Sequence, residues 1–189
     1  MPFRLLGVVA DPNRAADLAG HAFAPYAASG TAVTLLCAAG RDWRGTDNLP
    51  AMRRLGMHDL VLLDYDVREL TVVVLEDLLA DVMTGIRPHV VVADGTRPAI
   101  REAVTSAFAR VRRAAGGSSA LPAKLYYRLS GSSPLVRVTT SIAVPGGSPE
   151  LFVRVFPDPW VTGVLERDLF AGVPAEIPTR SSLEEQLTG

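Results

Sequence analysis

This chain of 189 residues has one cysteine, one lysine and three histidines, so three residue types that carry much of protein chemistry are scarce. The lone Cys37 excludes an intramolecular disulfide and any cysteine-rich metal site. Its place in an apolar run marks it as an inert core thiol. Lys124 is the only lysine among 19 basic residues, and 20 acidic residues bring the net charge to −1. So small an excess excludes whole-molecule attraction to nucleic acid or to an anionic membrane surface. No apolar run approaches the roughly 18 residues needed to span a bilayer. The apolar start of the chain runs into a charged, proline-containing turn, where a signal peptide would end in a small-residue cleavage site. A cytoplasmic protein is the expectation, and the Arg-, Ala-, Val- and Pro-rich composition points to a GC-rich, bacterial source.

Hydrophobic residues make up 48% of the chain, enough for one sizeable core. The expected organisation is a single domain over residues 1–172 followed by a polar tail, 173–189. Continuous apolar runs predict strands at Phe3–Ala10, Thr31–Cys37, Leu60–Leu63 and His89–Ala93. Amphipathic segments between them predict helices at Ala15–Ser29, Asn48–Leu55, Leu70–Gly85 and Pro98–Ala115, the last stopped by Gly116-Gly117. Val72-Val73-Val74 could open a strand, but the length of its segment and the one-sided acidic residues Glu69, Glu76, Asp77 and Asp81 favour a helix. Strands separated by helices pair in parallel, so the fold class is α/β, a Rossmann-like, doubly wound, mainly parallel open sheet. Ala123–Arg128 and Leu135–Ile142 read as extra C-terminal strands, and Trp160–Phe170 as a short helix.

The first predicted strand ends in Ala10-Asp11-Pro12-Asn13-Arg14, which resembles the opening motif of the LmbE/PIG-L family of zinc-dependent N-acetylglucosaminyl deacetylases. That family carries Ala-His-Pro-Asp-Asp at this point. Gly20, Ala24, Ala27, Ala28, Gly30, Val33 and Thr34 stand in step with it without a gap. Further on, Pro50–Gly56, Asp64-Tyr65-Asp66, Arg87–Val92 and Lys124-Leu125-Tyr126-Tyr127 resemble successive family segments in the same order. The resemblance implies the same α/β frame.

What it implies for chemistry is different. In the family, a histidine and the second aspartate of the first motif bind zinc, joined by a histidine from a His-Pro-Asp-His motif. The first aspartate is the general base, and zinc lowers the pKa of its bound water. Aligned with that pattern, Asp11 replaces the histidine, Asn13 the base and Arg14 the carboxylate ligand. The second motif has become Arg97-Pro98-Ala99-Ile100, with Ile100 at the ligand position. Arginine has no lone pair for zinc and asparagine cannot take a proton. The resemblance therefore implies a deacetylase frame with a degenerate site, a pseudoenzyme, and no resident zinc or other cofactor.

Asp11 and Asp94 end predicted adjacent strands at the carboxyl edge, where open α/β sheets bind ligands. Asp11, Asn13, Arg14, Asp66, Asp94 and Arg97 are the pocket candidates. An arginine standing for the metal's charge would suit a small sugar-like or anionic ligand. Alternatively, Asp11–Arg14 and Asp94–Arg97 pair and simply close the site, the reading we favour. An oxygen-only cation site from Asp11, Asn13 and Asp94 is opposed by the two arginines. His21, His58 and His89 share no ligand spacing and are expected at the surface or at strand edges, with His21 nearest the pocket rim. Trp43, between Arg41 and Arg44, is either an exposed contact or folded onto the core. Three functions stay open: a deacetylase relative that binds a small ligand or partner, an active amide deacetylase with an unconventional site, and a metal-free enzyme with Asp11 or Asp94 as general base. The edge strands and the tail could also serve a homo-oligomer.

Overall fold

A computed structural model describes residues 2–10, 14, 15, 18, 22–39, 53, 56–66, 71–116, 121–128, 140–142, 150–155, 168–170 and 173. Among the described residues, seven strands form one sheet in the order β3-β2-β1-β4-β5-β7-β6. Five of them are parallel: β1 (Arg4–Val9), β2 (Ala32–Cys37), β3 (Asp59–Leu62), β4 (Val90–Asp94) and β5 (Lys124–Arg128). β6 (Thr140–Ile142) and β7 (Glu150–Val155) extend the sheet antiparallel. β1 lies between β2 and β4, so the strand order reverses there and a crevice opens at the carboxyl ends.

The apolar runs are explained by burial on both faces. Along β1, Leu5 and Val9 enter one core while Leu6 and Val8 enter the other. Along β4, Val90 and Val92 take the first side and Val91 and Ala93 the second. The second core is closed by α2 (Val72–Ile86) and α3 (Pro98–Ala114), which pack on each other and on the sheet. Fully burying one of their Leu, Val or Phe side chains stabilises by about 1.5–3 kcal/mol. Thr71 caps α2, its hydroxyl accepting from the Val74 N–H at 3.4 Å, and Arg87 ends it in the left-handed region at φ 51°. The helical reading of the Val72-Val73-Val74 segment holds.

The first core is covered differently. Of the helix expected over Ala15–Ser29, Ala15 and Leu18 are α-helical, Ala22 and Phe23 form a wider π turn, and α1 (Ala24–Ala28) is α-helical again. Pro25 stands in its first turn, where a missing N–H costs nothing. Just before it, Phe23 drops onto Gly7 of β1; a Cβ at Gly7 would lie 2.3 Å from the Phe23 ring and 2.7 Å from Leu35 Cδ1. Glycine is what lets the ring reach the sheet. The segment around Leu169 and Phe170 completes this core, with Phe170 tilted against Phe3 and edge-on to Tyr26. Val173, assigned from sequence to the polar tail, is also buried here.

β7 has no counterpart in the sequence reading, although Leu151, Val153 and Val155 alternate as a half-buried strand should. The end of the expected helix at Trp160–Phe170 is a turn over 168–170, in which the Asp168 carboxylate accepts from the Phe170 N–H at 2.7 Å. Most of that helix, most of Asn48–Leu55, residues 135–139 and the tail beyond 173 lie outside the described residues. No described helix is long and apolar enough to cross a membrane.

Candidate functional site

β4 ends in Asp94, and parallel pairing sets it opposite Arg128 at the end of β5. Strand alternation turns both side chains to the face of Val92 and Tyr126, the face of the first core. Gly95 N–H donates to the Arg128 carbonyl at 3.1 Å, so the two strand ends are fastened together. From the other side, Arg14 reaches over the edge of β1. Val9, Arg14, Leu18, Asp94 and Arg128 line a small cleft, partly open to solvent.

Asp94 is the centre of this cleft and is only 8% exposed. Its two oxygens have different fates. Oδ1 accepts from the Thr96 N–H at 2.9 Å and from the Thr96 hydroxyl at 2.6 Å, closing the turn into α3. Oδ2 is buried and accepts no hydrogen bond from the protein. Arg14 Nε stands 3.9 Å from it, close enough for Coulombic attraction and too far for a hydrogen bond. The Arg14 side chain is 43% exposed, so solvent screens its side of the pair while the aspartate stays buried. The buried, unmatched oxygen is the unusual feature, because a buried polar atom without a partner costs about 1–3 kcal/mol.

The sequence-derived candidates separate on this geometry. Arg14 and Asp94 come together. Asp11 and Asn13, with Trp43, Arg41, Arg44 and His21, lie outside the described residues. Arg97 was expected to pair with Asp94, yet it is exposed and does not line the cleft. It is the extended N-cap residue of α3, held there because Pro98 begins the helix. Asp66 is half-buried on the segment after β3, away from the cleft lining. Ile100 is 2% exposed and packs with Ala103 and Val104 in the second core, across the sheet from Asp94. Arg128 was missed altogether. Its signal was the charged end of the Lys124–Arg128 strand, which becomes informative only once its register with Asp94 is known.

The histidines are also distinct. His58 is exposed and paired with Asp59 at 2.9 Å. His89, expected at a surface or strand edge, is buried at 2% exposure. Its Nδ1 accepts the Arg4 N–H at 3.1 Å, and Phe3 meets its ring edge-on. That histidine joins strands at the amino edge, opposite the cleft. Tyr127 lies under α3, where its hydroxyl meets Thr105 and donates to the Arg101 carbonyl at 3.0 Å; burial pushes its ionisation up.

The described cleft residues do not form a zinc set. Asp94 is the sole anionic donor among them, beside two guanidiniums that offer no lone pair. No group of three His, Cys, Asp or Glu side chains able to hold a metal occurs among the described residues.

No protein-family model matches the chain, and no curated protein matches its sequence. Solved structures do match. A conserved protein from Thermus thermophilus is similar at 20% identity and a TM-score of 0.53, over 75% of this chain and 72% of that one. The 4-carboxy-2-hydroxymuconate hydratase GalB from Pseudomonas putida follows at 19% identity and a TM-score of 0.44, covering 68% of this chain and 66% of the hydratase. The N,N'-diacetylchitobiose deacetylase from Pyrococcus horikoshii stands at 18% and 0.37, over 57% of this chain and 49% of its own. The chain thus spans about half of that deacetylase. The Thermus thermophilus likeness is one of fold: an α/β sheet with five parallel strands, in a Rossmann-like arrangement.

Proposed function

We propose that this chain keeps an LmbE/PIG-L-type frame, has lost zinc-dependent deacetylation, and binds a small ligand at the carboxyl edge of β1, β4 and β5. The observation that carries this is the Arg14–Asp94 pair: a guanidinium stands 3.9 Å from a buried carboxylate oxygen in the crevice of the sheet. In the family motif aligned above, the Arg14 position holds a carboxylate that binds zinc. A fixed positive charge there repels a divalent ion and attracts an anion. The ligand is therefore small and anionic or sugar-like, and no zinc is held.

The test is elemental analysis of the purified protein after incubation with zinc and removal of the excess. The expected result is less than about a tenth of an equivalent. Near one equivalent would overturn the loss of the metal site and call for a deacetylase assay on N-acetylglucosamine conjugates.

A further inference from the structure

We infer that His89 is an acid-sensitive latch: its neutral ring holds the start of β1 on β4, and protonation lets that edge of the sheet go. The latch lies at the amino edge, opposite the cleft, and does not depend on the ligand-binding reading above. Arg4 and His89 exchange two hydrogen bonds. The His89 N–H donates to the Arg4 carbonyl at 2.8 Å, and the Arg4 N–H donates to His89 Nδ1 at 3.1 Å. The His89 carbonyl accepts from the Ala123 N–H at 2.9 Å, so this one residue ties β4 to the strands on both its sides.

The ring does this in one state only. To accept at Nδ1 it must be neutral, with its proton on Nε2. A proton added to Nδ1 makes that atom a second donor facing the Arg4 N–H, and the bond is lost. His89 is 2% exposed, so a charged ring reaches water only by parting from Phe3, which meets it edge-on at 5.3 Å. Phe3 in turn lies against Phe170 at 4.6 Å, so release passes from the latch to the late segment that completes the first core.

Among the described residues, the ionisable groups around this edge are engaged locally. Arg4 Nε donates to the Arg87 carbonyl at 2.8 Å, and Arg112 of α3 donates to the carbonyls of Pro122 and Ala123 at 3.2 and 2.7 Å. Lys124 opens β5 and is buried, and Asp168 accepts from the Phe170 N–H at 2.7 Å. None of these charges can preserve an acceptor once Nδ1 carries a proton. An unfolded histidine charges near pH 6.5 at no structural cost, whereas the folded chain gives up the Arg4 bond. The latch's contribution is therefore complete above about pH 6.5 and is lost as pH falls below it. Carboxylates titrate near about pH 4, so the first fall below 6.5 belongs to histidine.

The experiment follows denaturant unfolding of the full chain from about pH 7.5 down to about pH 5, beside His89→Asn. The asparagine side-chain oxygen can accept the Arg4 N–H and does not titrate. His58, exposed beside Asp59, and His21 remain in both chains, so the difference between the two belongs to His89. The wild-type folding equilibrium constant is expected to fall by up to about tenfold per pH unit below about 6.5, and the variant should lack that fall. Equal falls in the two chains, or none in the wild type, overturn the inference. If the variant does not fold, the ring-nitrogen chemical shifts of the wild type decide. Nδ1 staying unprotonated for as long as the Arg4 amide is protected from exchange supports the latch. A His89 ring that charges near about pH 6.5 while the Arg4 amide stays protected overturns it.

Discussion

Tyr26 and Leu169 lie 143 residues apart, and the Leu169 N–H donates to the Tyr26 hydroxyl oxygen at 3.2 Å. The Leu169 carbonyl in turn accepts from the Tyr126 hydroxyl at 3.5 Å. Two tyrosines, one beside the sheet and one within it, thus clasp a late segment to the first core. Burial is the main reason that the Tyr26 hydroxyl is pushed up to about 12, with the Leu169 bond opposing and Asp168 reinforcing the shift. Unfolded tyrosine ionises near 10, so between about 10 and 12 the unfolded chain binds fewer protons and stability falls as pH rises. The contribution is complete below about pH 10. Denaturant titrations should show a loss of about 1–2 kcal/mol across that window, less than full linkage because solvent screens part of the shift. Tyr26→Phe should lack this component. An identical alkaline loss in the variant would refute the assignment.

Gly7→Ala should destabilise the fold without touching the cleft. The added methyl meets the Phe23 ring and Leu35 Cδ1, and neither can retreat from a packed core. The expected cost is about 1–3 kcal/mol by thermal or denaturant unfolding. An unchanged midpoint would mean that Phe23 does not rest on β1.

His89→Ala should cost about 1–3 kcal/mol, because it strands the part-buried Arg4 N–H and opens space beside Phe3. The check is the chemical denaturation midpoint. A loss under a few tenths of a kcal/mol would indicate that solvent readily takes over that donor.

Asp11→His alone should not restore zinc binding. Arg14 remains over Asp94, and Ile100 lies in the second core on the far side of the sheet. Stoichiometric zinc in that variant, by elemental analysis, would show the motif alignment to be wrong.

The parallel sheet was legible because doubly buried strands must be apolar throughout, and β1, β2 and β4 are. Asp94 was legible for a related reason: a charge ending such a run marks the strand's carboxyl edge. Its partner was not. Arg97 is near in sequence, but the helix start fixes its backbone and leaves it exposed, while Arg128 arrives through a register set by a different strand. Ile100 was read as a site position from a linear motif, and its burial beside Ala103 and Val104 shows that α3 spends that position on the core. β7 escaped notice because a six-residue alternation between prolines gives little periodic signal.

One layer of backbone keeps the two cores apart, and Asp94 and Ile100 belong to opposite sides of it. The α2–α3 half is consequently a chassis: it carries no described cleft residue, and changes to the cleft need not propagate into it. A library that varies Arg14 and Arg128 together, leaving the core residues Val9 and Leu18 in place, should yield many folded clones with altered ligand preference. Varying Ile100, Ala103 and Val104 instead should yield mostly misfolded ones.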